Sequence, residues 1–148
     1  MSLDPSFVGR TYPPTAPYQV GREKIREFAA AIGATDAAHH DPAAAQALGH
    51  SDVVAPPTFP VIVTMAATRQ IIEDPDLGVD YSRLVHGDQR FAYTRPVVAG
   101  DELVCTNTIE EVTNRGGHGL LTTRTDVSTV AGEPVVAVWA RYVIRGEA

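Results

Sequence analysis

Residues 33–44 read GATDAAHHDPAA, with His39 and His40 between Asp36 and Asp41 and a proline directly after. These are residue types of general acid–base chemistry. An imidazole exchanges a proton near neutral pH, and a carboxylate within hydrogen-bond reach orients it and strengthens it as a base. His39 with Asp36 is the candidate water-activating pair. A plainer reading makes Asp41 the N-cap of a helix that opens at Pro42, with Asp36 and His40 as solvated loop residues. The four side chains also carry metal-ligating atoms. Adjacent histidines seldom point at one ion, however, and no second Cys/His group stands at a familiar spacing, so no metal site is expected.

The remaining titratable groups are isolated. His86 lies in the strand-like run VHGDQRF beside Gly87. That glycine marks a bulge or a close backbone approach to a ligand, and His86 is then either a ligand contact or an ordinary strand histidine. His118 sits in an RGGHG turn and His50 follows a helix stop, and neither is assigned chemistry. Cys105 is the only cysteine, in ELVCTNTI, which excludes an internal disulfide. It reads as a buried, reduced thiol that behaves as a small hydrophobe, and it fits a reducing cytoplasm.

A chain of 148 residues is the length of one domain, here 1–148, with a real core. The hydrophobic share of 44% against 20% charged residues argues for a folded chain. A formal net charge of -6 argues against a nucleic-acid partner, which needs clustered Lys and Arg. No basic stretch precedes an apolar run at the start, so no signal peptide is expected, and no apolar run is long enough to cross a bilayer. A cytoplasmic protein is expected.

The elements that must position these residues divide the chain in two. Residues 1–17 are rich in Pro and Gly and should be irregular, and PYQVG suits a short strand. GREKIREFAAAIG places Ile25, Phe28, Ala29 and Ile32 at helical spacing, with Gly33 as the stop. Asp41 and Pro42 open a short helix that Gly49 closes. After a loop over 51–58, Thr58 is a candidate cap for FPVIVTMAATRQII, residues 59–72. That segment is apolar nearly all round, so it should be buried in the middle of the fold. The second half holds four strand-like runs: RLVHGDQRFAYTRPV, DELVCTNTIEEVTN, HGLLTTRTDVSTVA and EPVVAVWARYVIR. The RGGHG turn makes the middle two a hairpin. The prediction is an α+β fold in which a four-strand antiparallel meander wraps one apolar helix. There is no internal repeat or linker.

That order resembles the hotdog fold of the MaoC-like (R)-specific enoyl thioester hydratases and dehydratases, from FVGRTY to YVIR. RPVVAGDEL, residues 95–103, looks like the family's RPV.AGD.L signature, which reads locally as a hairpin turn at Gly100-Asp101. The opening stretch resembles the family motif Gly-Asp-x-Asn-Pro-x-His-x-Asp-Pro. Gly33, His39, Asp41 and Pro42 match it, while Ala34 stands at the catalytic Asp position, Asp36 at the Asn and Ala37 at the Pro. In the family, an Asp and a His hold one water, and the N-terminal end of the central helix polarises the thioester carbonyl. Such an end is a natural anion site. Asp36 lies two positions from the usual carboxylate, which in extended chain moves a side chain by roughly 6–7 Å. Related hydratases carry AHGM before the central helix. Ala55-Pro56-Pro57-Thr58 stands there in this chain, so a proline without an N–H replaces the glycine, and Thr58 and Phe59 supply the nearby amides.

Both departures resemble the substrate-binding subunit of the mycobacterial heterodimeric (3R)-hydroxyacyl-ACP dehydratase and the actinobacterial MaoC-N-terminal-like proteins. The resemblance implies an acyl-thioester-binding protein of fatty-acid metabolism. Acyl-CoA or acyl-ACP would be the ligand, and no cofactor would be needed. It implies a degenerate subunit in a heterodimer with a MaoC-like catalytic partner. Ala55, Pro56, Pro57, Thr58, Phe59, His86 and Gly87 would contact substrate. The alternatives are a self-sufficient hydratase using His39 with Asp36, and a non-catalytic acyl-CoA-binding homodimer. A thioesterase is disfavoured, because residues 59–72 carry no carboxylate. An open strand edge needs cover, so a monomer is not expected.

Overall fold

Local signals account for the helical half. In the computed structural model, which describes residues 2–147, strand β1 is Tyr18–Gln19 and helix α1 is Arg22–Ala31. Ile25 and Ala29 bury the inner stripe of α1, and Gly33, at φ +72, ends the segment. A 3-10 turn covers Ala37–His39, and helix α2 runs over Pro42–Ala47. Helix α3 is Pro60–Ile72. Thr58 does not cap it through its side chain: Phe59 holds the N-cap position, and Pro60 takes the first turn, where a missing N–H costs nothing.

Strands β2 (Leu84–Tyr93), β3 (Glu102–Arg115), β4 (His118–Thr129) and β5 (Pro134–Ile144) complete one antiparallel sheet in the order β1-β3-β4-β5-β2. The β3–β4 hairpin turns at Gly116 and Gly117, both at positive φ, as a two-residue turn requires. The expected four-strand meander is corrected in one respect. β2 pairs with β5 on the far edge, not with β3. The reason lies in residues 94–101, which leave the sheet and run beside Val54 through a Val54–Val98 bridge. RPVVAGDEL is therefore not a hairpin. A tight turn does close at Val98–Asp101, where the Asp101 N–H donates to the Val98 carbonyl at 3.2 Å and Gly100 has φ +97.

The sheet curls over α3. Val63 and Ala67 pack with Leu103, Cys105, Val127, Val136 and Val138, and Ile71 packs with Ile109, Leu121 and Ile144. Cys105 is fully buried, and burial pushes its thiol up to about 11. The helix is not buried all round, as its composition suggested. Met65 is 57% exposed, and Ala66 and Arg69 are exposed beside it. One layer of sheet covers only one face of a helix, so the other face stays open in a lone chain.

Candidate functional site

The 33–41 loop is held by hydrogen bonds that engage both acids and both histidines. Asp36 opens the 3-10 turn and accepts from the Ala38 N–H at 2.9 Å. Asp41 caps α2 by accepting from the Ala43 N–H at 3.0 Å. His39 Nδ1 lies 2.6 Å from the Val54 carbonyl oxygen, and His40 Nε2 lies 3.0 Å from that of Ala34. A carbonyl can only accept, so each of these ring nitrogens carries a proton. In neutral His39 the lone pair is then on Nε2. The Asp36 carboxylate bonds neither imidazole; it is spent on a backbone amide. At Ala34 a main-chain carbonyl, rather than the family's carboxylate, meets a histidine, and that histidine is His40.

The segment that His39 touches is tied on both sides. The Val54 N–H donates to Ala38 O at 3.0 Å, the Ala55 N–H to Val97 O at 2.8 Å, and the Ala99 N–H to Val53 O at 3.0 Å. This gives the RPVVAGD signature a physical role. Arg95 donates two bonds to the Asp101 carboxylate, at 2.9 and 3.0 Å, and one to Glu133 at 2.7 Å, while Asp101 also accepts from the Val98 N–H at 3.0 Å. Asp101 and Glu133 hold the Arg95 guanidinium's pKa above its ordinary value. The network fixes the 95–101 strap against which Val53–Ala55 lies.

Ala55, Pro56 and Phe59 are buried, and Pro57 and Thr58 are exposed. The amides at the mouth of α3 are mostly used. Phe59 donates to Pro56 O at 2.9 Å, Val61 to Thr58 O at 3.2 Å and Ile62 to Phe59 O at 2.9 Å. Pro57 and Pro60 have none. The Phe59 amide is thus turned into the loop, while the Thr58 N–H makes none of these bonds. One positioning contact went unread in the sequence. The Tyr93 hydroxyl donates to Pro57 O at 2.5 Å, across 36 positions. Burial pushes its pKa up, so it keeps this proton.

His86 belongs elsewhere. It is exposed on β2, with its ring 5.5 Å from that of Tyr142. Both line a groove of about 640 Å³ between α3 and β2, together with Thr64, Met65 and Gln89. That lining includes no residue of 33–41 or 55–59. Gly87 does mark a bulge, between His86 and Asp88, and a Cβ there would lie 3.3 Å from Arg141 O. Its close approach is to the backbone of β5. Among the described residues, no three His, Cys, Asp or Glu side chains converge as metal ligands would. No helix among them is long and apolar enough to cross a membrane.

The chain is 58% identical to a UPF0336 protein of Streptomyces coelicolor over 98% of this chain and 97% of that one. Among solved structures it is similar to a MaoC-like dehydratase, at 36% identity and a TM-score of 0.87, covering 95% of this chain and 43% of that one. It is also similar to a chain of the C-terminally truncated HadBC (3R-hydroxyacyl-ACP dehydratase) complex from Mycobacterium tuberculosis. That match has 32% identity and a TM-score of 0.84, and covers 97% of this chain and 99% of that one. The curled five-strand sheet around α3 is accordingly a hotdog fold. Residues 6–138 match the family described as FAS1-like, dehydratase domain region, and the chain belongs to that family of MaoC-like hotdog dehydratases.

Proposed function

We propose that this protein is an acyl-thioester-binding subunit of the (3R)-hydroxyacyl dehydratase/enoyl hydratase group. It would act in fatty-acid metabolism beside a MaoC-like partner that brings the catalytic Asp and His. One observation carries the reading: the Asp36 carboxylate is spent on the Ala38 N–H, while Ala34 holds the family's Asp position. Water addition beside a thioester needs a base, an acid and oriented donors for the enolate-like oxygen. This chain offers the last through the Thr58 N–H, with Ala55–Phe59 as the seat of the thioester. The group delivered is acyl-CoA or acyl carrier protein, and the chemistry calls for no further cofactor.

The partner follows from what the chain leaves open. The outer face of α3 exposes Met65, and β2 is a sheet edge with Val85 also exposed. A second hotdog would cover the helix and extend the sheet. The likeness to a chain of a dehydratase complex, and to less than half of a longer MaoC-like dehydratase, supports a fold that works in pairs.

A self-sufficient hydratase is the second reading, and the His39–Val54 bond favours it. That bond orients the imidazole and leaves Nε2 as the lone-pair nitrogen. Enoyl-CoA hydration by the purified protein, followed as loss of enoyl thioester absorbance, separates the two. Turnover that vanishes in His39→Ala establishes the second reading. No turnover from a folded protein that acyl-CoA stabilises, with activity gained on adding a MaoC-like subunit, establishes the first.

A further inference from the structure

Among the buried residues of β3 and β4, Asn107, Thr123 and Thr125 are the polar ones. Asn107 on β3 is 0% exposed, and neither its Oδ1 nor its Nδ2 has a hydrogen-bond partner. Thr125 is its cross-strand neighbour, and Thr123 lies one row further along β4, both buried. Thr64 on α3 is the other buried polar side chain among the described residues, and its hydroxyl makes a 3.4 Å contact to Val61 O. A buried carboxamide without partners is costly, and native cores rarely keep one without a use.

The polar row has a way out. Along the sheet register, Thr123 pairs with Ala140 and Ala140 with Gln89. Gln89, Thr64 and Tyr142 line the groove beside α3. The seam between helix and sheet thus runs from an open groove past small side chains, Ala140 and the fully buried Ala67, toward Asn107. It is closed in this structure. On α3, Ala67 is small and the Thr64 hydroxyl makes only a 3.4 Å contact, while the helix's outer face exposes Met65.

The geometry points to a ligand site in this seam: the tail of a bound acyl chain enters beneath α3 from the groove and places a hydroxyl against Asn107 and Thr125. A hydroxyl both donates and accepts, so together with the Thr125 hydroxyl it satisfies Oδ1 and Nδ2. A methylene offers neither a donor nor an acceptor to the amide. Recognition by groups otherwise unpaired discriminates strongly against an analogue that lacks the partner. The inference rests on the acyl-thioester reading above and adds the class of chain, one hydroxylated toward its tail.

Calorimetric titration of the purified protein tests it, using acyl-CoAs of one chain length that are unsubstituted or carry a single hydroxyl at successive positions. The expected result is one hydroxyl position that binds about tenfold or more tighter than the plain chain. In Asn107→Leu that preference disappears while the plain chain still binds. The ligand-free melting temperature of that variant holds or rises, because an apolar side chain of similar shape removes the unpaired amide. Thr125→Val reports on the same seat should Asn107→Leu fail to fold, and it should weaken the preference. Equal binding of plain and hydroxylated chains overturns the inference and leaves the acyl-thioester reading standing. A preference that survives both variants overturns it in the same way, as does a sharp fall in the melting temperature of folded Asn107→Leu. Failure of every acyl-CoA to bind overturns both.

Discussion

His39 Nδ1 lies 2.6 Å from the carbonyl oxygen of Val54, and this contact joins the 33–41 loop to the segment that leads into α3. It fixes the tautomer, because the carbonyl can only accept. Nitrogen-15 NMR of the folded protein at a pH where the ring is neutral should show His39 protonated at Nδ1 and bare at Nε2. Replacing His39 by Ala removes the bond and strands a carbonyl, which should cost about 1 kcal/mol in denaturant unfolding. A ring protonated at Nε2 would contradict the contact and remove its value for orienting a base.

Asp36 is readily separated into its two possible roles. As a cap it needs only an oxygen that accepts from the Ala38 N–H, and Asn caps as well as Asp does. Asp36→Asn should therefore fold with unchanged stability, whereas Asp36→Ala should lose about 1 kcal/mol. If a catalytic complex is reconstituted, its turnover should also survive Asp36→Asn. A complex that loses turnover in Asp36→Asn at full stability would return Asp36 to the chemistry.

That ambiguity explains what was legible in the sequence. Features set by neighbours in the chain could be read: the buried stripe of α1 and its Gly33 stop, the Asp41-Pro42 helix start, and the Gly116-Gly117 hairpin. The bulge at Gly87 was legible too, since a glycine inside a strand has few other uses. Partner choice between distant segments was not. Nothing local says that β2 crosses to β5, because partner choice is set by the path of residues 94–101 and not by β2 itself. In the sequence Asp36 reads as a base partner or a solvated loop residue, and only the folded chain shows its carboxylate capping the 3-10 turn. The Tyr93 bond to Pro57 joins two residues with no shared motif, and the inward turn of the Phe59 amide depends on where the Pro56 carbonyl points.

The opposite end of α3 carries a pH-dependent clamp. Asp74 accepts from the Tyr12 hydroxyl at 2.6 Å and from Arg10 at 2.7 Å. The Tyr12 bond, then the Arg10 bond, hold its carboxyl below the ordinary carboxylate value of 3.8 against the effect of burial. The folded state therefore binds a proton there less readily than the unfolded chain. Its contribution is complete above that ordinary value and is lost as the pH falls through the lower, folded one. Tyr12→Phe removes the larger cause and should cost about 2 kcal/mol at neutral pH, as expected for a hydrogen bond to a charged group. Chemical unfolding at a series of pH values should show the difference between wild type and variant shrinking in acid. A constant difference down to low pH would mean that the phenol acts by packing alone.

Tyr93 tests the assignment of the thioester seat. Its hydroxyl holds Pro57 O at 2.5 Å, next to the open Thr58 N–H at the mouth of α3. Tyr93→Phe keeps the ring that stacks with Phe91 and deletes only the tether. Tyr93 is 38% exposed and the tether is one neutral hydrogen bond, so stability should change by no more than about 1 kcal/mol. The loop carrying Thr58 should nonetheless loosen, and a misplaced donor is costly to a ligand that must meet it. Acyl-CoA affinity should then fall several-fold in Tyr93→Phe while free coenzyme A, which lacks the thioester carbonyl, binds both proteins alike. Equal loss for both ligands would show that the tether shapes the protein generally, and unchanged affinity for both would place the thioester away from Thr58.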